Sequence, residues 1–144
     1  MGMFAGIEEV KVRKNIKYVT PGKYKVSIQA VKNGERNEDQ KPYFVAEMKV
    51  LESNNTDDFP VGSDMAWMTM VKKFKRYFFQ DVREFVAVAT GSDPDDVGEE
   101  VVEVVCGEDQ PLTGVLLDVV AYTGENEKSG KKFTECDFQL CVDA

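Results

Sequence analysis

The chain has no histidine anywhere in its 144 residues. That removes the commonest general base near neutral pH, the commonest zinc ligand and every Ser–His or Cys–His nucleophile pair. Carboxylate chemistry survives the loss, but the expectation is of a protein that is not an enzyme. Cysteine is scarce: Cys106, Cys136 and Cys141 make an odd count with no CxxC spacing. They read as reduced thiols filling space as small hydrophobes in a cytoplasm, the host's if the chain is viral. No stretch approaches the roughly 20 apolar residues of a membrane helix. The start, "MGMFAGIEEVKVRKN", lacks an apolar core behind a basic end, so no secretory leader is expected. Neither a metal nor an organic cofactor is called for.

What is present is an ordinary globular composition, 42% hydrophobic and 10% aromatic, in a length that fits one domain, residues 1–144. The charge is unevenly spread. Residues 1–90 hold 15 Lys and Arg against 12 Asp and Glu, a net of +3. Residues 91–144 hold 3 against 14, a net of −11, and the two parts return the overall −8. Such asymmetry fits a polyanion-binding face joined to an acidic segment, or simply an acidic solvated helix. Eight of the acids fall between Asp93 and Asp109.

Residues 1–21 form a weakly patterned basic arm that ends in the turn "TPG". Alternation of polar and apolar residues predicts strands over 23–32, 43–53 and 64–71, separated by loops at 33–42 and 54–63. Then the period changes. In "KKFKRYFFQDVREFVAVATG" apolar residues recur at spacings of three and four (Phe74, Phe78, Val82, Phe85, Ala89) and a glycine follows, which predicts an amphipathic helix. Residues 92–111 read as an acidic second helix, with Asp95 and Asp96 at its positive end. Strands are predicted again in "TGVLLDVVAYTG" and "KKFTECDFQLCVDA", joined by the tip "ENEKSG". The fold class is therefore mainly β: an OB-fold-like five-stranded Greek-key barrel with a helical insertion between strands three and four.

Because a strand sends alternate residues to opposite faces, the pattern also predicts what lies outside. Taking Tyr24/Val26/Ile28/Ala30, Phe44/Ala46/Met48/Val50, Ala66/Met68/Met70, Val115/Leu117/Val119/Ala121 and Cys136/Phe138/Leu140 as interior leaves Tyr43, Trp67, Tyr122 and Phe133 on the outer face. Lys23, Lys25, Lys49, Lys72 and Lys131 are their neighbours in sequence. Exposed aromatics beside cations are what a sequence-tolerant single-strand binder needs: each stacked base contributes roughly 1–3 kcal/mol and the cations follow the phosphates. Three basic patches accompany them. These are the arm Lys11, Arg13, Lys14, Lys17 and Tyr18, the helix start Lys72, Lys73, Lys75 and Arg76, and the hairpin Lys131 and Lys132. A buried helical stripe with a solvated cationic face accounts for the helix start equally simply.

The run "PGKYKVSIQAVK…KPYFVAEMKVLES…VGSDMAWMTM", with "LLDVVAYT…GKKFTECDF" near the end, resembles bacteriophage-type single-stranded DNA-binding proteins of the OB-fold class, over residues 20–140. The resemblance implies sequence-independent binding of single-stranded DNA in phage replication or recombination. It also implies partners among replication or recombination proteins, here through the acidic segment 93–109; homo-oligomerisation stays open. The chain departs from that pattern at its end, "FQLCVDA", which has no acidic tail closed by an aromatic. The alternative is an acidic inhibitor that engages a host DNA-binding enzyme by imitating phosphates. A magnesium site at Asp93, Asp95 and Asp96 is a third reading, set against the commoner role of such residues as a helix cap.

Overall fold

The computed structural model describes residues 16–35, 40–71, 75–125 and 132–141; the side chains of Lys75, Glu125, Lys132 and Phe133 lie outside that description. In chain order the elements are β1 (Lys17–Tyr18), β2 (Gly22–Glu35), β3 (Pro42–Ser53), β4 (Asp64–Met70), α1 (Lys75–Thr90), a 3₁₀ turn (Pro94–Asp96), α2 (Glu99–Val105), β5 (Leu116–Glu125) and β6 (Lys132–Leu140). They build one six-stranded sheet in the order β1-β4-β3-β2-β5-β6. Among the described strands only the two-residue β1 runs parallel to its neighbour. Strands β2, β3 and β4 are consecutive neighbours and β5 returns beside β2, which is a Greek key. The sheet is mixed and not closed, in place of the five-stranded barrel expected.

Alternation fixes the inner face as the pattern predicted for most strands. Tyr24, Val26 and Ile28 of β2, Phe44, Ala46, Met48 and Val50 of β3, and Leu117, Val119 and Ala121 of β5 all join one buried cluster. Two local events change parity. An irregularity between Ile28 and Ala30 turns β2, so that Val31 is fully buried and Ala30 is not. The second concerns β4. Its register sets Thr69 opposite Phe44, Trp67 opposite Ala46 and Met65 opposite Met48. Residues directly opposite share a face. Met65 and Trp67 therefore point inward, and Ala66, Met68 and Met70 lie outside, the reverse of the expected assignment.

Helix α1 covers the inner face with Phe78, Val82, Phe85, Val86 and Ala89, all buried at the predicted spacing. Burial of each large side chain contributes on the order of 1.5–3 kcal/mol. The helix stops in a Schellman arrangement: Ser92 N–H donates to the Ala87 carbonyl at 2.8 Å and Gly91 N–H to Val88 at 3.2 Å. Gly91 has φ +69°, a conformation that costs a β-carbon residue. Phe85 sits at the centre of four rings, 5.6 Å from Phe44, 5.1 Å from Trp67 and 5.0 Å from Phe138. Trp67 and Phe138 also meet directly at 5.0 Å. Those two residues belong to β4 and β6, four places apart in the sheet order, so the sheet curls around the helix until its two wings touch through side chains.

The acidic section is not one continuous helix. It is a 3₁₀ turn followed by the seven-residue α2, and Gly98 caps the second piece. Asp93 accepts from Asp95 N–H at 2.9 Å, the cap role its position suggested. The "TPG" turn is held by a polar clamp. Tyr24 Oη donates to the Thr20 carbonyl (2.8 Å), Thr20 donates to Asp58 (2.8 Å), and the Asn55 amide reaches Thr20, Pro21, Tyr24 and Asp58. The hydrogen bonds from Thr20 and then Asn55 hold the Asp58 carboxyl below its usual pKa.

Candidate nucleic-acid interface

The outer face of the sheet does not offer the stacking platform that alternation predicted. Trp67 lies on the inner face, stacked on Phe85 with 20° between the ring planes, so its ring belongs to the core. Tyr43 does lie on the outer face, but only 2% of it is exposed. It forms a second apolar cluster with Val45 and Ala66, against which Ile16, Met68 and Met70 pack. Its hydroxyl is buried with no hydrogen-bond partner among the described residues, and desolvation, followed by the nearby Tyr18, raises its pKa. Tyr122 is 40% exposed, with its hydroxyl engaged by Glu135, the leading cause of its raised pKa.

Three lysines of the central strands are paired with acids facing them across the sheet. Lys25 meets Glu52 at 3.2 Å, Lys32 meets Glu47 at 3.3 Å and Lys49 meets Asp64 at 3.1 Å. Lys25↔Glu52 and Lys49↔Asp64 are direct register partners. Glu47 is only 3% exposed and accepts from Lys32 Nζ at 3.3 Å. Lys25 and Lys49 are thus strand-pairing residues here, with little charge left to offer a phosphate. The outer side of β5 and β6 is acidic, through Asp118, Glu135 and Asp137.

Exposed aromatics and one described cation occur at the start of α1. Tyr77 is 54% exposed and Phe79 56% exposed. The Arg76 guanidinium lies over the Tyr77 ring, 4.9 Å from its centroid, and donates to the Tyr77 hydroxyl at 3.0 Å. Phe79 adjoins the core through buried Phe78, at 5.8 Å between centroids. Tyr77 and Phe79 were not singled out from the sequence. The signal was available: once Phe78, Val82 and Phe85 define the buried stripe, a 100° step per residue puts 77 and 79 on its two flanks.

The remaining predicted residues divide simply. Lys17 and Tyr18 are exposed on β1, with Tyr18 49% exposed and its hydroxyl 3.8 Å from the Met68 sulfur. Lys23 is exposed at the start of β2, where its backbone N–H donates to Asn54 at 2.7 Å. Lys11, Arg13, Lys14, Lys72, Lys73 and Lys131 lie outside the described residues. Lys75 opens α1 and Lys132 and Phe133 open β6, without a described side chain. All eight acids of 93–109 are exposed. Among the described residues no group of His, Cys, Asp or Glu comes together to hold a metal ion, and no helix is long and apolar enough to cross a membrane.

Comparison of the chain with family models gives no match, and comparison with curated proteins gives none.

Proposed function

We propose that the chain is a sequence-independent single-stranded DNA-binding protein of the OB-fold class, acting in phage DNA replication or recombination. The observation that carries this reading is the start of α1, where Tyr77 and Phe79 are each more than half exposed and the Arg76 guanidinium lies over the Tyr77 ring. Exposed aromatic rings supply faces for bases, and cations beside them supply phosphate contacts. The Greek-key order of β2–β5, with the helical section between β4 and β5, supports the fold assignment. Relative to the pattern-based expectation, the stacking role passes from Trp67 and Tyr43 to Tyr77 and Phe79, and the phosphate role from Lys25 and Lys49 to the α1 start, Lys17 and Lys23.

The test is a titration of a labelled dT oligomer of about 30 nucleotides, read by anisotropy at two salt concentrations. Saturable binding that weakens with salt, and that exceeds binding to a duplex of the same length, is the expected result. Absence of binding at low salt would end the proposal.

A second reading, an acidic protein that occupies a host DNA-binding enzyme, draws on the eight exposed carboxylates of 93–109. It predicts competition with DNA for that enzyme and no titration of the dT oligomer.

A further inference from the structure

The sheet ends in β6, whose outer edge pairs with no strand among the described residues. An open edge is a template for another extended chain. Along it runs an open groove of about 550 Å³, lined by both faces of β6 together with β5, α1 and the 3₁₀ turn. Val88 and Phe138 give it an apolar floor on the inner face of the sheet, Val120 lies with Asp118 and Asp137 on the outer face, and these two acids with Glu84 give it an acidic rim with no cation among the described lining residues. Val120 is 41% exposed there. Lys25, which faces Asp118 across the β2–β5 pairing, is held by Glu52. The acids of the 3₁₀ turn, Asp95 and Asp96, follow directly on Pro94, which also lines the groove.

We infer that this groove docks an extended Lys/Arg-rich segment of another protein, added as a strand along β6 with alternate apolar side chains on the groove floor. Strand addition supplies affinity through main-chain hydrogen bonds and specificity through alternate side chains. The acidic rim selects cations and turns away nucleic acid. It also disfavours a second copy paired about Cys136, where an antiparallel register sets Glu135 opposite Asp137, since like charges opposite one another are destabilising. The inference does not rest on strand binding at α1, which lies on other residues.

The probe is a fluorescein-labelled twelve-residue peptide of alternating lysine and valine, titrated by anisotropy. Saturable binding is expected that weakens at least fivefold in the double variant Asp118→Asn/Asp137→Asn. Binding by the wild-type chain should be lost when every second peptide amide is N-methylated in the phase that faces β6, and kept in the other phase. That comparison needs no variant to fold. A glutamate–valine peptide should not bind, and the dT titration should be unmoved by the double variant. Binding indifferent to N-methylation in both phases, or to the two carboxylates, would overturn the inference. So would a stable dimer in sedimentation equilibrium that excludes the peptide, since the edge would then belong to a second copy.

Discussion

The first turn of α1 and the outer face of β2–β4 contain the same ingredients, cations interleaved with aromatics, and the fold uses them in opposite ways. On the strands Lys25, Lys32 and Lys49 each meet a carboxylate, and the nearby aromatic is buried (Tyr43) or turned to the core (Trp67). On the helix the 3.6-residue period separates buried Phe78 and Phe85 from exposed Tyr77 and Phe79, and the Arg76 guanidinium lies over the Tyr77 ring. Composition alone does not make a binding surface. What decides is whether the neighbouring element covers the ring.

The sharpest way to break the comparison is at Trp67. As part of the four-ring core, Trp67→Ala should cost about 3–5 kcal/mol of stability, read from the urea midpoint at unchanged m-value. A stable variant that merely loses DNA affinity would return Trp67 to the surface. Next comes Tyr77→Ala with Phe79→Ala. Stability should stay within about 0.5 kcal/mol of wild type for such exposed positions, while single-strand affinity falls by roughly 1–3 kcal/mol per ring.

A smaller effect tests how tightly the outer apolar cluster is built. A β-carbon at Gly34 would lie 2.8 Å from the Tyr43 hydroxyl oxygen. Gly34→Ala should therefore destabilise by about 1–3 kcal/mol. Tyr43→Phe, which removes both that atom and the unpartnered hydroxyl, should be neutral or stabilising by about 1 kcal/mol and should rescue Gly34→Ala. Additive losses in thermal unfolding would contradict this packing.

A further effect is expected in alkali. Desolvation by burial pushes the Cys106 thiol to about 12, from an ordinary value of 9.0. It does the same to Cys136, with Asp137 and Glu135 adding to the shift. Between about pH 9 and 12 the unfolded chain has lost protons that the folded chain keeps, so these thiols make stability fall as pH rises through that window and contribute no slope below it. A Cys106→Ala/Cys136→Ala variant should show a shallower decline in urea titrations over that range. An equal decline would place the cause elsewhere.

Much of the fold was legible because period carries it. The alternation in "KYKVSI" and "YFVAEMKV" and the three-four spacing from Phe74 to Ala89 assign five strands, one helix and most of the core. The β4 faces were not legible. "DMAWMTM" is apolar at both parities, so local pattern could not choose between Met65/Trp67 and Ala66/Met68, and only pairing with β3 decides. The two-residue β1 carries no periodic signal, and Gly98 split the acidic helix for a reason visible only in outline. The candidate site suffered most. The ion pairs Lys25–Glu52 and Lys49–Asp64 join residues 27 and 15 apart in sequence, and a reading of local composition has no access to such partners.

The most direct test compares two double variants in one dT-oligomer titration at low salt. The account predicts that Tyr77→Ala/Phe79→Ala weakens binding at least about thirtyfold, the lower end of two stacked bases, while Lys25→Gln/Lys49→Gln changes it less than about threefold, because those charges are already matched by carboxylates. A large loss from the lysine pair with no loss from the aromatic pair would contradict it and put the strand on the face of the sheet.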